Sequence, residues 1–367
     1  ASILLAVAGF GKLAQQVPTS VRRGFKWGCA VGVFVSAVPS GLFLGGSKEL
    51  KTYVGQSAWG DIQAMVKSTV PAATGTITVS NFFYALLHPQ LWGLSCTVLF
   101  VACVLCVRYG GQLLPKNKSY LPPGTEVIVA TALATVWSVY SNYQGTVVGE
   151  IPTFDNNNSN TTAATFLDGR IRLPSVEMLD IRSVLGDVPI VERQFGGSVV
   201  MLMVSATLFA AVNFLSIMGI ASAFETEDGV SWSAPRELIA QGLSCTMAAF
   251  VGSAPISGSL SRSLVNRMTG ATSQFACIIN ALCWIYLLPY MNIMAPTPKA
   301  ALGAVIVTAV LKGVFQPKDL LQLQHTDAII GWATGITTAF TSPTIGFGAG
   351  LVFYSILTTI RPKPKTA

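Results

Sequence analysis

The fold turns on one stretch: Gly252-Ser253-Ala254-Pro255-Ile256-Ser257-Gly258-Ser259-Leu260-Ser261-Arg262-Ser263-Leu264-Val265-Asn266-Arg267. It is rich in Gly, Ser and Pro and closes on two arginines, yet uncharged runs flank it at Leu238–Ser261 and Met268–Pro298. Gly and Pro interrupt a helix, and serine hydroxyls cap the one that follows. A helix starting near Ser259–Ser261 would turn its unpaired N–H groups toward the break, an end carrying roughly half a positive charge. Arg262 adds a full charge there. An interrupted helix with its N-terminus and a cation at membrane depth suits an anion. A plainer reading stands beside this one, in which Arg262 and Arg267 form a cytoplasmic loop against lipid phosphates. An arginine at the bilayer centre costs about 2.5–3.5 kcal/mol, so a buried Arg262 needs a function or an aqueous cavity. Arg267, nearer the next loop, has the weaker case for a site.

Working outward, the chain of 367 residues is 51% hydrophobic and 11% charged. Soluble chains carry about 25% charged residues. The composition excludes a disordered protein and argues against a soluble enzyme. Uncharged runs cover Trp27–Ser47, Leu91–Val107, Val127–Gly149, Gln194–Phe224, Leu238–Ser261, Met268–Pro298 and Ala328–Ile360, with a shorter one at Ala300–Leu311. A span needs about 20 residues, so the chain holds roughly ten or eleven membrane helices, and the runs are too long for barrel strands. Ser342-Pro343 divides the last run into two helices, and Pro298 starts another. This is an all-α polytopic membrane protein.

The same residues exclude several chemistries. Seven cysteines lie inside apolar runs without a CxxC pair, Cys103–Cys106 being the nearest approach. The two histidines, His88 and His325, are far apart. No metal site, cofactor or catalytic triad is expected, and no apolar segment clusters an acid, a base and a nucleophile. The net charge of +7 sits in loops and follows the positive-inside rule rather than pointing to nucleic acid.

That rule sets the topology. Lys12, Arg22, Arg23 and Lys26 mark one cytoplasmic loop; Arg108, Lys116 and Lys118 a second; Lys312 and Lys318 a third; Arg361, Lys363 and Lys365 end the chain inside. Residues 150–193 are then extracellular, with glycosylation sequons at Asn157 and Asn160. A third sequon, at Asn117, falls inside and stays unmodified. Phe166–Leu173 reads as a short extended stretch, and Asp61–Ser68 as a surface helix.

GSLSRSLVNRMTGATSQ (258–274) resembles the tenth-helix motif of the sulfate permease (SulP) anion transporter family. Five further pieces match the family in order: RRGFKWGCAVGVFVSAVPSGLFLGG (22–46), VVGEIPTF (147–154), RELIAQGL (236–243), PKAALGAVIV (298–307) and the final DAIIGWATGITTAFTSPTIGFGAGLVFYSILTTIRP (327–362). The resemblance implies a fold of seven plus seven helices related by inverted repeat, about eleven of the fourteen present, with a core domain moving against a gate in a homodimer. Residues 1–14 then end the fourth helix, in the core, and 22–149 are gate helices five to seven. Residues 150–193 are the outer loop. Residues 194–296 are core helices eight to eleven, with the anion-site half-helix near 259–270, and 297–361 are gate helices twelve to fourteen. Ser261 and Arg262 match the residues facing the anion, with Ser259 and Leu260 beside them.

The chain departs from the family pattern in three ways. The opening helices, including the third that supplies half the anion site, are missing, which implies a piece of a longer protein. No stretch of these 367 residues is expected to form the family's STAS domain. Ser216 stands where many members carry an eighth-helix acid linked to cation coupling, and Gln194–Phe224 holds no acid at all. The resemblance implies a secondary anion transporter or exchanger of the sulfate, bicarbonate, chloride or oxalate class in the plasma membrane. The alternatives are an uncoupled anion channel or a motor-type membrane protein on the same scaffold.

Overall fold

The computed structural model describes residues 2–7, 9, 17–69, 74–113, 124–149, 165–166, 171–172, 199–229, 231–250, 257–287, 290 and 293–360. The sequons at Asn117, Asn157 and Asn160, and the basic residues Lys12, Lys116, Lys118, Arg361, Lys363 and Lys365, lie outside them. The chain separates into two compact units: residues 1–22 with 152–259, and 23–151 with 260–367.

In the first unit, α1 (Ser2–Val7) packs on α9 (Val199–Asp228) and α10 (Ala234–Phe250). Gly242 makes the contact possible: a Cβ there would stand 2.7 Å from Ile3 Cγ1. Phe214, Met218 and Leu238 are fully buried. At the end of α9, Glu225 Oε2 accepts from Arg22 Nη1 and from Trp232 Nε1, each at 3.1 Å. The two-residue strands β1 (Thr165–Phe166) and β2 (Ile171–Arg172) pair antiparallel and overlap the stretch Phe166–Leu173 read as extended.

The second unit begins in α2 (Thr19–Ala37), continues through α3 (Pro39–Leu42), α4 (Gly46–Gly55), α5 (Ala58–Thr69) and α6 (Thr74–Leu87), and reaches α7 (Leu94–Leu113) and α8 (Thr125–Tyr140). Its remaining helices are α11 (Leu260–Met268), α12 (Phe275–Leu287), α13 (Lys299–Phe315), α14 (Lys318–Leu321), α15 (His325–Phe340) and α16 (Pro343–Ile360). Helix α5 covers the predicted surface helix. By length and composition alone, Thr19–Leu42 and Lys299–Leu321 could each cross a membrane.

Helix α13 is central because its inner face is small. Ala300, Ala301, Gly303 and Ala304 are buried, so Phe43, Phe100 and Leu50 close over it in one apolar cluster. Small faces let helices approach where lipid removes the hydrophobic drive. Non-helical backbone leading into α13 is satisfied by pairing. Val148 N–H donates to Thr297 O (2.9 Å), Gly149 N–H to Ala295 O (3.0 Å) and Lys299 N–H to Thr146 O (2.9 Å). Backbone groups without water require such partners. Pro298 precedes α13, and the break between α15 and α16 falls at Thr341-Ser342, where α6 covers it. Gly75 N–H donates to Thr341 O (2.7 Å) and Thr76 Oγ1 to Phe340 O (2.7 Å).

Candidate functional site

Ser257-Gly258-Ser259 is non-helical, and α11 begins at Leu260. Gly258 belongs to the first unit and lies against α9: a Cβ there would stand 3.3 Å from both Ile217 Cγ1 and Ile220 Cδ1. The preceding residues of the predicted break, Gly252–Ile256, lie outside the described residues.

The first turn of α11 carries Ser261 and Arg262 and no acid. Helix formation leaves the first N–H groups without intrahelical partners, so this end presents a positive potential. Arg262 is exposed, and its guanidinium brings five fixed donors to it. The side chains of Leu260 and Ser261 lie outside the described residues; their backbone is helical. Ser259 is half-buried and engaged in a contact, as is Arg267 in the last turn.

The far end of α11 is closed tightly. Gly270 takes φ +90°, its N–H donates to Arg267 O (2.9 Å), and Ala271 N–H donates to Asn266 O (3.1 Å). That paired closure satisfies two terminal carbonyls and favours a glycine at the left-handed position. Val265 and Met268 pack on Val107, Val127, Ala130 and Val305. A Cβ on Gly124 would stand 2.5 Å from Thr269 Cα, so the helix end sits hard against the start of α8. The helix is thus fixed at its C-terminus, while Arg262 in its first turn is exposed. This close fit was not foreseen from sequence, although the glycine at 270 was there to read.

Ser216 lies on α9, and its side chain is outside the described residues. One turn earlier Asn213 is a buried polar group (6% exposed) with a partner. Among the described residues no group of three or more His, Cys, Asp or Glu could hold a metal. His88 has a structural place: its Nδ1 is 3.0 Å from Tyr84 O and its ring stacks on Tyr84 at 4.2 Å. His325 is exposed at the start of α15. The arrangement can hold an anion by charge and hydrogen bonding.

Comparison with known proteins gives the context. Residues 1–334 match the model of the sulfate permease family. Prestin from Danio rerio is 26% identical over 372 residues, covering 98% of this chain and 43% of its own length. The chain therefore spans less than half of that relative. Among solved structures, SLC26A9 superposes with a TM-score of 0.58 at 18% identity, over 98% of this chain and 50% of its own. The transmembrane domain of the cyanobacterial bicarbonate transporter BicA gives 0.56 at 16% identity, over 95% and 73%. These likenesses establish the all-α fold.

Proposed function

The chain belongs to the sulfate permease family, and on that premise we propose that it is the membrane part of a secondary anion transporter or exchanger working by alternating access. The family is one of membrane transporters, not of enzymes. The observation that carries the reading is α11: a nine-residue helix after a non-helical Ser257–Ser259, without an acid in its first turn and with Arg262 exposed there. The anion is held at that helix end by Ser261 and Arg262, with Ser259 and Leu260 beside it. Ser216 is the further candidate on α9. Residues 22–149 and 297–361 serve as gate, 1–14 and 194–296 as core, in a homodimer of the plasma membrane. The chain end is cytoplasmic and the outer loop is glycosylated at Asn157 and Asn160.

The family name makes sulfate the first anion to test, and the name of the cyanobacterial transporter makes bicarbonate the second. Chloride and oxalate complete the class. A coupling acid on α9 is absent before Glu225, which favours exchange or uniport over cation-coupled uptake. It also keeps an uncoupled channel as the alternative, for which single-channel currents are the test.

The experiment is flux of labelled sulfate, bicarbonate, oxalate and chloride into proteoliposomes of the full-length protein, with and without a trans anion. Hydrogen bonds to charged groups contribute about 1.5–3 kcal/mol, so Arg262→Ala should weaken anion affinity about 10- to 100-fold. Arg262→Lys should keep part of it if charge dominates over the planar fork. Full affinity in Arg262→Ala would reject the site.

A further inference from the structure

The turn that joins α13 to α14 carries exposed groups of two kinds at intervals of three: Lys312, Phe315, Lys318 and Leu321. Phe315 is 68% exposed and Leu321 66%. Neither lysine has an ion-pair or hydrogen-bond partner among the described residues. The one acid of the turn, Asp319, is already engaged. Its carboxylate accepts from Lys26 Nζ at 3.1 Å and its carbonyl from Arg23 Nη1 at 3.1 Å. A third donor from α2 fixes the same turn, Trp27 Nε1 to Val314 O at 3.2 Å, and Trp27 packs edge-on against Trp332 at 5.1 Å. The turn is therefore tied to α2 at three points, at the end of two helices apolar enough to cross a membrane. Within ten positions of chain it carries two exposed lysines and two largely exposed apolar side chains, Phe315 also meeting Phe34 edge-on at 5.7 Å.

We propose that this turn seats the phosphate of an anionic phospholipid. Lys312 and Lys318 supply the charge, and Phe315 and Leu321 enter the acyl boundary. A free inorganic anion would satisfy the lysines and leave the apolar pair in water. A lipid satisfies both, because lysine stems run along apolar surface while their heads reach the phosphate layer. Each basic residue near an anionic surface strengthens attachment about fivefold.

The test is native mass spectrometry of the full-length protein taken from two kinds of vesicle, phosphatidylcholine alone and phosphatidylcholine with phosphatidylglycerol. The protein should retain phosphatidylglycerol, and excess inorganic sulfate should not displace it. Lys312→Gln with Lys318→Gln should lower its apparent affinity about 25-fold, whereas Lys312→Arg with Lys318→Arg should preserve it. Phe315→Ala with Leu321→Ala should also weaken retention. Thermal midpoints of all variants separate loss of lipid from loss of fold. Unchanged retention in the glutamine pair would overturn the proposal. Displacement by sulfate, with equal sulfate binding in phosphatidylcholine alone, would reassign the turn to a soluble anion. Retention is read without flux, so a protein that transports nothing still answers the question.

Discussion

Helices α15 and α12 are both apolar runs of similar length, and the second unit treats them oppositely. In α15, Gly331, Thr334, Gly335 and Thr338 are buried, and α2 comes against them backbone to backbone. A Cβ on Gly24 would collide with Gly331 O, and one on Gly28 with Gly335 O and with Thr338. The buried threonines need no outside partner, since Thr334 Oγ1 donates to Ile330 O and Thr338 Oγ1 to Thr334 O, each at 2.7 Å. In α12, FACIINALCWIYL, bulky residues occupy every side, no glycine interrupts them, and none is buried. Apolar content is the same kind of signal in both. Glycines four apart, Gly331 and Gly335, mark the helix that packs, whereas α12 has no glycine and no buried residue among the described ones.

The largest expected effect tests the packed side. Phe347 on α16 is fully buried and meets Phe25 of α2 edge-on at 5.3 Å. Phe347→Ala should cost about 3–5 kcal/mol, read as a lowered thermal midpoint in detergent. A loss no larger than that of an exposed residue would mean that this contact is not tight.

Next comes a pair of glycines on one helix. Gly24→Ala puts a carbon where Gly331 O lies, and the two helices must part; about 1–3 kcal/mol should be lost. Gly32→Ala, eight residues on, meets nothing within 4 Å and should be neutral or stabilising by up to about 1 kcal/mol. The same thermal measurement reads both. Equal effects would show that backbone approach, the basis of the comparison, does not set stability here.

Much of this was legible, and the reason is local chemistry. The break just before Pro343, the start of α13 after Pro298 and the start of α11 after Gly258-Ser259 each follow from residues within a turn of the boundary. The uncharged run Met268–Pro298 read as one span, whereas α11 stops at Met268 and α12 covers only Phe275–Leu287. A left-handed Gly270 ends the first helix just after the run begins, and no charge between Met268 and Pro298 marks the gap before α12. Partners distant in the chain were not legible. Nothing near Trp27 names Val314, and nothing near Gly258 names Ile217. For the site, the cationic first turn of α11 followed from Arg262 and the helix start. The anchoring of its far end against α8 depended on Gly124 and Thr269 meeting across the fold.

The smallest expected effect tests the open side. Ile279 on α12 is 57% exposed. Truncating a side chain removes packing only where packing exists, and lipid tails solvate an alanine as readily as an isoleucine. Ile279→Ala should therefore shift stability by no more than about 0.5 kcal/mol, as surface substitutions do. The measurement belongs in the full-length protein, beside Phe347→Ala under identical conditions. A loss of about 2 kcal/mol or more would place α12 against a packed neighbour there. The contrast with α15 would then be one of where each partner comes from, within this stretch of chain or beyond it, and not of whether the helix packs.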